Sequence, residues 1–156
     1  MTKDQVKKWV DEQKGECIEK DNNSIIKFEE NRKIVLFLND TKKEYYRIQV
    51  DGCLITEGVR CDCILLDSEN GRVFYVELKG IDTPHAIEQL KSTSCRVCPD
   101  RSCRRVAMVV GKNHLPQATL AIQKGKKELS KLGVELLVLN SAVRYDLSKE
   151  TYQQNL

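Results

Sequence analysis

Residues Gly58 to Thr93, GVRCDCILLDSENGRVFYVELKGIDTPHAIEQLKST, contain two short apolar runs, RCDCILLD and RVFYVELKG, joined by SENG. The turn-prone Asn70-Gly71 pair between two β-rich segments is a hairpin signal. Each run also carries charge where a half-buried strand should carry none: Asp62 in the first, Glu77 and Lys79 near the end of the second. Side chains on a strand alternate faces, so Tyr75, Glu77 and Lys79 share one face while Val76 and Leu78 take the other. An ionisable group at the edge of a core is costly unless it is paired or bound to a metal.

Two carboxylates at such an edge suit a hard divalent cation. Mg²⁺ usually takes one or two protein carboxylates and leaves its other positions to water and substrate phosphate. Asp62 and Glu77 are the candidate metal ligands, and Lys79 would meet the attacking water or the scissile phosphate, where charge builds up in the transition state. An Asp on one strand, Glu-x-Lys on the next strand of a hairpin, then a helix: this order resembles the PD-(D/E)XK nuclease superfamily. Here it is Asp62, Glu77-Leu78-Lys79 and the helix beginning near Pro84. Glu12-Gln13-Lys14 and Asp40-Thr41-Lys42 have a similar form, but only Glu77-Leu78-Lys79 ends a hydrophobic strand, follows a strand with a lone Asp and precedes a helix carrying Gln89. The plainer reading is a surface ion pair of Glu77 and Lys79 on an edge strand, with Asp62 solvated opposite.

The resemblance implies an α/β fold, a mixed central β-sheet flanked by helices with the restriction-endonuclease-like order α-β-β-β-α-β and an added α-β. It implies a Mg²⁺- or Mn²⁺-dependent nuclease that cuts phosphodiesters, DNA by preference, leaving 5′-phosphate and 3′-hydroxyl ends. In it Asp62, Glu77 and the backbone carbonyl of Leu78 hold the cation, Lys79 orients or activates the water, and Gln89 assists. An amino-terminal glutamate often joins such a site, with Glu12, Glu16 and Glu19 as candidates. Restriction of invading DNA, mobile-element conflict and repair all fit, and a homodimer would suit double-strand cuts. The alternative is a catalytically inactive nucleic-acid- or protein-binding subunit of the same fold.

Composition bounds these readings. A chain of 156 residues, 40% of them apolar, is enough for one domain with one core, expected over residues 1–156 with a polar tail from about Ser148. No run is long enough to cross a membrane, and MTKDQVKKWV has no signal-like apolar region, so a soluble, cytoplasmic protein is expected. The net charge of +3 is uneven: residues 1–94 hold 15 Lys and Arg against 18 Asp and Glu, and residues 95–156 hold 11 against 5. A basic part beside an acidic one fits a protein that grips phosphates while its carboxylates hold cations. Arg101, Arg104 and Arg105 in CRVCPDRSCRR, with Lys126 and Lys127, are the candidate nucleic-acid contacts. No aromatic residue is interleaved with that segment, so base stacking is not indicated.

In chain order, residues 4–20 read as a helix weakened by Gly15, and KIVLFLND and YYRIQVDG read as strands. After the hairpin, Asp82 or Thr83 can cap a helix whose polar face holds His85, Gln89 and Thr93. RRVAMVVG and VELLVLN read as buried strands, parallel because a helix with Ala118, Ile122, Leu129 and Leu132 on its apolar stripe joins them. The seven cysteines read as reduced thiols or metal ligands. Cys95, Cys98 and Cys103 have spacing used for structural zinc or an iron-sulfur cluster, but lack a fourth ligand nearby, which favours reduced thiols in a basic loop. Cys61 and Cys63 are expected as small buried side chains on the sheet face opposite Asp62.

Overall fold

Thr2 opens the first helix with a reciprocal cap: its hydroxyl accepts the Gln5 N–H at 3.2 Å, and the Gln5 side chain accepts the Thr2 N–H at 2.9 Å. The structure is a computed structural model that describes residues 1–78, 82–111 and 119–154. Its helices are α1 (Lys3–Asp11), α2 (Thr83–Arg96) and α3 (Leu120–Lys131). The first strands are β1 (Ile18–Asp21), β2 (Ile25–Glu30), β3 (Lys33–Leu38), β4 (Tyr45–Gln49), β5 (Cys63–Asp67) and β6 (Val73–Glu77). Then come β7 (Arg105–Gly111), β8 (Val134–Asn140), β9 (Val143–Asp146) and β10 (Thr151–Gln154).

Six strands form a mixed sheet in the order β1-β4-β5-β6-β7-β8, antiparallel as far as β6 and parallel from β6 to β8. The two parallel steps are strand-helix-strand crossovers through α2 and α3, the second of them as the buried runs at β7 and β8 predict. The hairpin between β5 and β6 turns at Gly71, whose φ of +82° suits a residue without Cβ. All five residues of β5 and of β6, and all seven of β7, are buried, because these strands are covered on both faces.

Helices cover one of those faces. Val6, Ile64, Tyr75, Leu90, Val109 and Leu129 belong to the core between helices and sheet. Gly125 lets α3 approach α2 closely, since a Cβ there would stand 2.8 Å from the Ile87 side chain. The other face carries a second sheet, absent from the sequence reading, in the order β10-β9-β3-β2. Phe37 of this second sheet sits 5.3 Å from Phe74 of the central sheet and 5.9 Å from Phe28, and Phe74 lies 5.2 Å from Tyr145, an aromatic cluster that fastens sheet to sheet.

Three local expectations are corrected here, and one unread segment is placed. The first helix stops at Asp11, because Gly15 and a 3-10 turn at Gly15–Cys17 interrupt it and Ile18–Asp21 pairs with β4. IIKFEE, without a reading of its own, is β2, paired along its whole length with β3. The polar tail is not frayed: Thr151–Gln154 pairs with β9, and the Gln154 side chain accepts the Asn140 N–H at 2.9 Å. Leu132 caps the end of α3 at 37% exposure instead of joining its buried stripe, and Ala118 lies outside the described residues.

Candidate functional site

Asp62 stands at a bend, one residue before β5 begins. The bend breaks the strand alternation: Cys61 joins the helix-side core while Cys63 joins the core between the sheets, so the two do not share a face as expected. The Asp62 Oδ2 accepts the Leu78 N–H at 2.7 Å, tying the start of β5 to the end of β6. The Asp62 carbonyl accepts the Val50 and Asp51 N–H groups at 3.1 and 3.2 Å, which fixes the Asp51-Gly52 turn beside it. Glu77, the last residue of β6, is fully buried. The β5–β6 ladder ends at the Cys63–Val76 pair, and past the bend the Asp62 N–H donates to the Val76 carbonyl at 3.2 Å. Lys79 lies outside the described residues.

The segment leading to Asp62 is strapped to α2 by side chains four and three residues apart on one helix face. Arg96 donates to the Glu57 carbonyl at 2.9 Å, Ser92 to Val59 at 2.6 Å and Gln89 Nε2 to Arg60 at 3.0 Å, while Thr93 Oγ1 accepts the Cys61 N–H at 2.7 Å. The Arg60 carbonyl can only accept, so the Gln89 amide is oriented with Nε2 toward it. That leaves Gln89 Oε1, on a residue 6% exposed, with no hydrogen-bond partner among the described residues. His85, read with Gln89 and Thr93 as one polar face, is exposed, and its N–H receives the Asp82 cap at 3.0 Å.

Arg105 holds α2 in place from behind. It is 3% exposed, and its guanidinium donates to the Ser94 carbonyl at 3.0 Å and to the Leu132 carbonyl, capping α2 and α3 together. Its expected contact with nucleic acid is therefore corrected: this side chain is inside. Arg104 is half exposed and pairs with Glu135 at 3.0 Å and Glu150 at 2.9 Å, and Arg101, Lys126 and Lys127 are exposed.

Asp62 and Leu78 line a cleft of about 560 Å³, while Glu77 lies behind its wall. Glu16 and Glu19 also line it, as do Glu29, Glu30 and Asp51, so the cleft is strongly acidic. Glu12 does not reach it. Arg47 meets Glu19 at 3.5 Å and Asp21 at 3.2 Å, and Asp51 pairs with Arg60 at 2.9 Å. A cleft of one sign concentrates the opposite ion, here cations, and repels a bare polyanion.

Burial pushes the Cys61 and Cys63 thiols well up from their ordinary value, and the nearby Glu77 and Asp62 carboxylates push the same way. Neither thiol is a nucleophile at neutral pH. In the unfolded chain these thiols ionise near 9.0, so above that pH the folded state binds more protons and stability falls as pH rises. Each thiol adds a slope of about 1.4 kcal/mol per pH unit there. Cys61→Ala, unfolded by urea in EDTA between about pH 9 and 11, should lose one such slope, and an unchanged slope would show that Cys61 ionises alike in both states.

The cysteines are not uniformly reduced. Cys17 and Cys53 form a disulfide with Cα atoms 5.6 Å apart, pinning the 3-10 turn to the loop after Asp51 at the cleft rim. Among the described residues no three His, Cys, Asp or Glu side chains gather to hold a metal, so Cys95, Cys98 and Cys103 form no thiolate cage there. Cys95 is exposed, and Cys103 Sγ donates to the Asn70 carbonyl at 3.3 Å.

No protein family, curated protein or solved structure matches the chain. Its site has to be read from its own residues. Among the described residues no helix is long and apolar enough to cross a membrane.

Proposed function

We propose that the chain is a divalent-metal-dependent nuclease with a restriction-endonuclease-like core, acting on DNA. The observation that carries the reading is Asp62 in the acidic cleft, its Oδ2 held by the Leu78 N–H at the end of β6, with the buried Glu77 next to Leu78 in the chain. Asp62 and the Leu78 carbonyl, with Glu77 and the Gln89 amide oxygen reaching in from behind the cleft wall, would supply only oxygen donors, a chemistry that fits Mg²⁺ or Mn²⁺. The bound cation would polarise the scissile phosphate and lower the pKa of its water.

The chain's own groups do the rest. One Asp62 oxygen stays on Leu78 N–H, which keeps the carboxylate from rotating and leaves the other for a ligand. Gln89, oriented through Arg60, offers Oε1 to a ligand water. Lys79 follows Leu78 directly and in this reading holds the attacking water or the phosphate. The acidic cleft admits a phosphate only once a cation is in place, which makes cleavage depend strictly on metal.

The test is incubation of the intact chain with single-stranded, duplex and branched DNA and with RNA, in Mg²⁺ or Mn²⁺ and again in EDTA. Cleavage of DNA that stops in EDTA and leaves 5′-phosphate ends is the expected result. Absence of Mn²⁺ binding by calorimetry at millimolar metal, with DNA binding intact, would instead favour a non-catalytic binding subunit.

A further inference from the structure

Across the Cys17–Cys53 bridge from the acidic cleft lies a second pocket, of about 380 Å³, within the range of small-ligand sites. Cys17 lines the cleft, while Lys14 and Leu54, close in sequence to the two bridged cysteines, line the pocket. Trp9 and Leu54 pack half-buried against the helix-side core and form its apolar wall. Arg96, at the carboxy end of α2, spends one N–H on the Glu57 carbonyl at 2.9 Å, and Lys14 Nζ lies 3.5 Å from the Cys53 carbonyl. Among the described residues neither cation has a carboxylate within ion-pair distance. Glu12 is the one carboxylate lining the pocket.

An indole beside two cations that lack a carboxylate partner, next to a cleft that would take a metal ion, is an arrangement that can hold a strand by stacking a base and neutralising its phosphate. We propose that this pocket binds one unstacked nucleotide of a single-stranded nucleic acid, base on Trp9 and phosphate on Lys14 and Arg96, beside the proposed cutting site. The inference rests on the nuclease reading of the cleft, and it locates strand binding away from Arg105 and α3. The indole is supplied by α1 and the guanidinium by α2, so no stretch of sequence displays the pair.

Trp9 is the only tryptophan, so its emission reports on this pocket alone. The full chain, in EDTA to prevent cutting, is titrated with a fluorescently labelled single-stranded oligonucleotide while anisotropy and Trp9 emission are followed. The expected result is quenching of Trp9 that parallels the anisotropy and saturates at one site. Lys14→Glu, at an exposed position, should weaken the strand about tenfold, and Arg96→Ala similarly. Strand binding with Trp9 emission unchanged would overturn the proposal, as would Lys14→Glu binding as the parent does. Equal quenching by a free mononucleotide would overturn it too, by making the pocket a mononucleotide site. Metal-dependent cleavage with a silent Trp9 defeats only the pocket, while quenching without cleavage in Mg²⁺ defeats only the nuclease reading.

Discussion

Asp62→Asn is expected to leave the fold intact and to reduce Mg²⁺-dependent cleavage of DNA by about a hundredfold or more. The amide keeps an oxygen that accepts the Leu78 N–H, now at 2.7 Å, so the ends of β5 and β6 remain joined. What disappears is the negative charge, on which a hard cation depends. Calorimetry with Mn²⁺ should show the matching loss of affinity, and the circular dichroism spectrum and urea midpoint should stay close to the parent's. Asp62→Ala removes charge and acceptor together, so the difference between the two variants separates the cation's part from the strand tie. A parent-like cleavage rate in Asp62→Asn would end the proposed mechanism.

Asp67→Ala should have the opposite profile, costing about 2–3 kcal/mol of stability without touching the cleft. Asp67 ends the same strand that Asp62 precedes, and it is fully buried. Its Oδ2 lies 3.3 Å from Lys43 Nζ and 3.7 Å from the Arg72 guanidinium, and Oδ1 accepts the Glu69 N–H at 2.9 Å. Arg72 also donates to Tyr45 Oη at 2.9 Å and to the Leu147 carbonyl at 3.0 Å, so the network joins the hairpin to the carboxy-terminal strands. Removing the acid leaves a hole beside a guanidinium only 12% exposed, with Glu150 at 3.1 Å as its remaining carboxylate, so the loss is that of the buried acceptor and not of all charge compensation. The urea midpoint reads the loss, and Mn²⁺ affinity of the folded protein should not change. A loss under about 1 kcal/mol would mean that the remaining partners and water already satisfy Arg72.

Much of the central sheet was legible because its signals are local. Asn70-Gly71 between two β-rich runs, Asp82 capping α2 with Pro84 in its first turn, and the unbroken apolar runs of β7 and β8 each fix conformation within a few residues. Asp62 and Glu77 stood out for the same reason, as charges set in otherwise apolar strands. Cys61 shows where that reasoning fails: strict alternation puts it with Cys63, but a bend at Asp62, held by Val50, Asp51 and Leu78, turns the chain over. The polar stripe Gln89, Ser92, Thr93 and Arg96 does carry a helical spacing, and only its partner segment was hidden.

Residue type and spacing were thus enough for the hairpin and the crossover helices. The pairing of β3 with β9, the Cys17–Cys53 bridge, the burial of Arg105 and the placing of Trp9 and Arg96 on one pocket depend on segments far apart in the chain. A backbone edge or a thiol accepts many partners equally well on local grounds. Which one it meets is settled by how the two sheets and three helices together exclude water from their shared cores.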